Sequence, residues 1–154
     1  MFKLDARISD MLSPDDLLLR CGLERGGPVQ QVIDDAVIRE CAPYVPASPD
    51  RTLEFSARIA TQIGSGEVIW NMPYARYMYY GVLVTDERGR TWVGRGEKKP
   101  VVHPDRPLQY DKAQNPLAGA YWFDRMKADR MEAILEEARK AVGGGTNGNT
   151  NMTR

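Results

Sequence analysis

Apolar residues recur at three- and four-residue intervals through two long segments, and these place the main helices. Val29, Val32, Ile33, Ala36, Val37 and Cys41 share one face after Pro28, with Gln30, Asp34, Asp35, Arg39 and Glu40 outside it, the pattern of an amphipathic helix. Pro28 suits a first helical turn, and Pro43 stops the pattern. Phe123, Met126, Ile134, Leu135, Ala138 and Val142 make a second stripe, interrupted by Arg130, whose aliphatic stem can lie on apolar surface. Asn115-Pro116 reads as the start of that helix with Asn115 as cap, and Gly143 to Gly145 as its end. Two shorter helical pieces are predicted. One follows Ser13-Pro14, with Leu17, Leu18, Leu19 and Cys21 on its face and Gly22 as its stop; the other runs from Thr52 with Leu53, Ser56, Ala57 and Ala60 on one side.

Elsewhere the period is two. Ile59, Thr61 and Ile63 alternate, Gly64-Ser65-Gly66 supplies a turn, and Val68 and Trp70 alternate after it, which predicts a β-hairpin. A second hairpin is predicted from Val82 to Thr85, over a turn at 86–89, to 91–93. Gly26-Gly27 is a hinge or turn. PYVPASPD, 43–50, holds three prolines in eight residues, which excludes helix and central strand and predicts a stiff, extended connector. Residues 94–116 hold four prolines, two glycines and many charges, the make-up of a functional arm or a disordered segment. The pattern as a whole predicts one α+β domain over 1–142, with an arm at about 82–116 and a flexible tail over 143–154.

At 154 residues the chain is long enough for its own core without metal or disulfide staples. Lys and Arg total 21 and so do Asp and Glu, which removes the whole-chain basic excess usual in a nucleic-acid binder. Cys21 and Cys41 lie in apolar segments with no second Cys or His nearby, so buried thiols are expected rather than a disulfide framework or a zinc site. No apolar run approaches the roughly twenty residues that span a bilayer. MFKLDARISD at the start has no apolar signal core, so the protein is expected to stay in the cytoplasm where it is made.

Groups able to do chemistry are sparse. His103 is the only histidine, beside Pro104 in the arm, and reads as an exposed loop residue. Asp34-Asp35 and Glu136-Glu137 are neighbours on helices, where adjacent side chains diverge, and read as solvated faces. GRGEKK, 94–99, lacks the spacing of a phosphate loop and opens no helix. The expectation is a protein with no enzyme activity, no cofactor and no metal. The stretch that stands out is WNMPYARYMYYG, 70–81, in which seven of twelve residues are Trp, Tyr, Pro or Gly and Arg76 sits among four tyrosines. Tyrosine buries a large ring and keeps a hydroxyl that seeks a partner, which suits surfaces wet at one stage and covered at another. Tyr74, Tyr77 and Tyr80, three apart, fit a short helical turn, and Arg76 is placed to stack on a ring. Tyr74, Arg76, Tyr77, Met78, Tyr79 and Tyr80, with Trp92, Arg95, Lys98 and Lys99 of the arm, are the candidate subunit interface. An alternative is a small nucleic-acid-binding module in which Tyr and Trp stack on bases while Arg76, Arg88, Arg90 and Arg95 hold phosphates.

The order of these segments resembles a known family. GLERGGPVQQVIDDAVIRECAPYVP at 22–46, TLEFSA at 52–57, GSGEVIWNMPYARYMYYG at 64–81 and WFDRMKADRMEAI at 122–134 are together similar to the minor capsid proteins of long-tailed bacteriophages, in the branch of head-tail joining or tail-completion proteins. The chain departs from that family after PYVP, where Ser48-Pro49-Asp50-Arg51-Thr52 stands in place of the usual Asp-Thr-Gly turn. The resemblance implies a small antiparallel β-sheet packed by the helix at 28–42 and by the C-terminal helix. It further implies a virion protein assembling with itself as a ring in the neck between the DNA-filled head and the tail. Its partners there are the neighbouring head-closure or adaptor and tail-terminator rings, with non-specific proximity to packaged DNA, no membrane and no small-molecule substrate.

Overall fold

The computed structural model describes residues 13–90 and 101–144. Ser13 opens helix α1, Pro14–Cys21, as the sequence predicts: its hydroxyl accepts the Asp16 N–H at 3.1 Å while its own N–H donates to the Asp16 carboxylate at 3.1 Å. This reciprocal box satisfies donors that a helix start leaves open. Then follow α2 at Pro28–Cys41, α3 at Thr52–Ala60, α4 at Ala75–Tyr80, β1 at Val82–Thr85, β2 at Val101–Pro107 and α5 at Trp122–Gly144. The fold is α+β, with one two-stranded antiparallel sheet among the described residues. By internal contacts they form two compact units, one of 13–37, 62–67 and 132–144, the other of 38–61, 68–90 and 101–131.

The first unit buries Val29, Ala36, Ile134 and Ala138. It also buries Asp34, which corrects the reading of that residue as part of a solvated face. One Asp34 oxygen accepts the N–H groups of Gly64 at 2.8 Å and Gly66 at 3.1 Å, and the other accepts Gln30 Nε2 at 2.8 Å. Gly64 in turn accepts the Gly26 N–H at 2.8 Å. The glycine turn therefore exists, but it wraps a carboxylate and joins no strands. The predicted hairpin at 59–70 is absent because α3 continues through Ile59, which ends up 85% exposed on the last helical turn. An alternation of three residues that straddles a helix end specifies no strand.

In the second unit the largest fully buried side chains are Trp122, Met126, Val45 and Cys41. The segment read as a connector is core: Tyr44, Val45, Pro46 and Ala47 are all buried. Tyr44 donates its hydroxyl to Asp129 at 2.9 Å, and the Arg125 guanidinium lies 5.6 Å from its ring centroid. Asn115 does not cap α5. Its side-chain amide donates to the carbonyls of Ala42 and Val45, both at 2.8 Å, in the turn that follows α2. Helix α5 starts later, behind Tyr121, whose carbonyl accepts the Arg125 N–H at 3.0 Å.

The proline-rich arm carries a strand that its composition hides. β1 pairs with β2 through Thr85 and Val101, Val84 and Val102, and Leu83 and His103, and the register then jumps to Val82 and Pro107. Pro104 falls in that irregularity, where its missing N–H removes no ladder bond. The turn predicted at 86–89 is present, with the Asp86 carboxylate accepting the N–H groups of Arg88 at 2.9 Å and Arg90 at 2.7 Å. The strand expected at 91–93 and the tail beyond residue 144 lie outside the described residues.

Cys21 and Cys41 are free thiols, half-buried and buried respectively. Burial, followed by the charge of Glu40, pushes the Cys41 thiol up to about 12. In the folded protein near pH ~8, a thiol-alkylating reagent is expected to modify Cys21 and spare Cys41, because the reacting species is an accessible thiolate. Mass spectrometry before and after denaturation reads this directly; equal labelling of both in the native state would contradict the burial of Cys41.

Candidate interaction surface

The tyrosines of α4 are held by what caps the helix. Gly81 closes it at φ 70°, donating its N–H to the Tyr77 carbonyl, and a Cβ at this position would lie 3.3 Å from both Ala120 Cβ and Tyr110 Oη. A side chain is disfavoured there on both counts. The next orphan carbonyls are closed from farther along the chain: Met78 accepts the Tyr110 hydroxyl at 2.6 Å, and Tyr79 accepts the Tyr121 N–H at 2.8 Å. Residues 108–121 are thus tied to the C-terminal end of a six-residue helix that could not persist alone.

That tie gathers a ring cluster with Tyr79 at its hub. The Tyr79 centroid lies 4.8 Å from Trp122, 5.4 Å from Tyr80 and 5.4 Å from Tyr121, all edge to face. Trp70 meets Trp122 at 5.8 Å, and Tyr80 meets Tyr121 at 5.9 Å. Edge-to-face contacts align the positive rim of one ring with the negative face of another. The Tyr79 hydroxyl donates to Asp124 at 2.7 Å. Burial first, and then that carboxylate, push the Tyr79 phenol well above its usual range. Exposure is graded across the cluster: Trp122 is 2% exposed, Tyr79 half-buried, Tyr121 45% and Tyr80 51%. An inner anchor thus supports an outer edge that faces water.

Of the residues singled out from sequence, Tyr79 and Tyr80 belong to this cluster. Tyr74 and Arg76 are exposed, and Tyr77 and Met78 are half-buried. The short helical turn expected at Tyr74, Tyr77 and Tyr80 is present as α4, and the ring contacts centre on Tyr79. Among the described residues the cation set over a ring is Arg125, not Arg76. Trp92, Arg95, Lys98 and Lys99 lie outside the described residues. Tyr121, Trp122 and Tyr110 are essential to the geometry but were not in the candidate set; the one signal for them is that they too are aromatic. His103 is not an exposed loop residue. It sits half-buried on β2 with Nε2 2.8 Å from the Thr85 hydroxyl. That hydroxyl lies 3.1 Å from the Asp86 carbonyl as its donor, so it is left to accept from an Nε2–H tautomer. Among the cations of the alternative reading, Arg90 is held by Asp86 at 2.6 Å, while Arg76 and Arg88 are exposed.

The described residues contain no group of three His, Cys, Asp or Glu able to hold a metal ion, and no helix among them is long and apolar enough to cross a membrane. Comparison with protein-family models, with curated proteins and with solved structures gives no match.

Proposed function

We propose that the chain is a structural protein of a tailed-bacteriophage virion, one that assembles with identical copies into a ring in the neck and so joins the DNA-filled head to the tail. The observation that carries this reading is the outer edge of the aromatic cluster. Tyr80 and Tyr121 stand about half exposed on a hub fixed by Asp124 and Trp122. Rigid aromatics lose little conformational freedom on docking and supply much of the energy of protein interfaces. The order of sequence segments adds the resemblance to tail-completion proteins. The ribbon of β1 and β2, with Val101 and Val102 exposed, offers a second surface for a neighbouring copy or ring. A head-to-tail contact between copies closes into a ring when the rotation per subunit permits it.

Deleting the protein from its phage should leave filled or leaking heads separated from tails in electron micrographs. In the purified chain, Tyr80→Ala should weaken self-assembly by about tenfold or more. Its stability should change by less than about 1 kcal/mol, since half of that ring already meets water. Intact virions formed without the protein, or cross-linking that places it away from the portal vertex, would overturn the proposal. Salt-sensitive binding of duplex DNA by a strict monomer would favour the nucleic-acid module instead.

A further inference from the structure

Two exposed apolar strips in the first unit are left unused by the aromatic surface. On α1, Leu17 and Leu18, which share a side of the helix with Cys21, are 47% and 44% exposed, and none of the eight residues of the helix is buried. A helix this short is not stable in water by propensity alone, and an amphipathic helix normally gains its stability by covering its apolar face. The second strip is on α5, where Leu135 and Val142 are 40% and 42% exposed. They are seven residues apart, hence two turns along one face and separated by about 10 Å, close to the roughly 12 Å length of an eight-residue helix.

The charges beside the two strips are complementary in one orientation only. α1 is acidic at its start, with Asp15 and Asp16, and basic at its end, with Arg20. The α5 strip is flanked by Glu132 toward its start and by Arg139 toward its end. Laid antiparallel, the acidic start of α1 meets Arg139 while Arg20 meets Glu132. Laid parallel, like charges meet at both ends. The Arg139–Glu132 pair does not stand in the way, because both side chains are more than half exposed and such pairs are weak and easily exchanged.

We infer that the leucine face of α1 docks antiparallel on the Leu135 and Val142 strip of a second copy of this chain. The two patches differ, so each copy offers one of each, and the contact is head-to-tail. The inference stands on α1 and α5 alone and does not depend on where the protein is located or on the tyrosine surface.

Sedimentation velocity of the full chain over a concentration series tests it. The wild type should self-associate, and Leu17→Ser with Leu18→Ser should weaken that association by about a hundredfold. Circular dichroism checks that helix content is retained. Asp15→Arg alone, and Arg139→Glu alone, should each weaken it by about tenfold, and the two together should restore it. Asp15 is chosen over Asp16 because Asp16 holds the Ser13 capping box. A monomeric wild type, a leucine variant that associates like the wild type, or charge reversals that fail to rescue one another would each overturn the inference. Tyr80→Ala run alongside separates the two surfaces. Association lost only in Tyr80→Ala rejects the α1 contact, and association lost only in the leucine variant rejects the aromatic one.

Discussion

Trp122→Ala is expected to lower the unfolding free energy by about 4 kcal/mol, a large share of the 5–15 kcal/mol typical of a whole domain. The indole is 2% exposed, touches Trp70 at 5.8 Å and Tyr79 at 4.8 Å, and heads the fully buried side chains by size. Its removal leaves a cavity that the hydrogen-bonded neighbours of α4 cannot collapse into without breaking the cap at Tyr79. Trp122→Phe separates volume from polarity. The buried indole N–H has no hydrogen-bond partner among the described residues, so Phe removes an unpaired donor along with part of a ring. That relief offsets much of the lost packing, and a cost of about 1 kcal/mol is expected. Urea denaturation followed by far-UV circular dichroism gives both values without relying on tryptophan emission. Equal costs for Ala and Phe would show that the indole is held by its N–H and not by its rings.

What could be read in the sequence, and what could not, divides by the range of the forces involved. Helix α2 was legible because six apolar residues between Val29 and Cys41 repeat at helical spacing, and α1 because Ser13, Pro14 and Gly22 act on the backbone beside them. The tyrosine cluster of α4 was legible as a density of rings. Its hub was not, because Tyr79 is defined by Tyr121 and Trp122, which the chain delivers from far downstream. Asn115 shows the same limit: beside a proline it has the look of a helix cap, and its actual acceptors include a carbonyl 73 residues away. Strand β2 was hidden for the opposite reason. Its two prolines argue locally against a strand, and only the register jump opposite Val82 and Leu83 shows how they are tolerated. Tyr44 looked like part of a spacer because proline surrounds it, whereas Asp129 and Arg125 make it core.

Asp34→Ala is expected to cost about 3 kcal/mol or more, although the residue forms no ion pair among the described residues. Its carboxylate is 2% exposed and is the acceptor for two backbone N–H groups, those of Gly64 and Gly66, and for the Gln30 amide. Alanine leaves the buried Gly64 N–H without its acceptor, a desolvation penalty of about 1–3 kcal/mol, and also removes the part-buried bonds from the Gly66 N–H and the Gln30 amide. Gly64 cannot move to find another partner, since at φ 92° a Cβ built on it would already lie 3.1 Å from Gly26 Cα and Gln31 Cγ. Asp34→Asn keeps one oxygen for the two glycine N–H groups, and the Gln30 amide can turn to accept from the new NH₂. Only the extra strength of a charged acceptor is then lost, about 1 kcal/mol. The expected order of stability is therefore wild type, then Asn, then Ala, measured by chemical denaturation at neutral pH. An Ala variant within about 1 kcal/mol of wild type would mean that water satisfies Gly64 and Gly66, and that the loop following α3 is held by something other than this carboxylate.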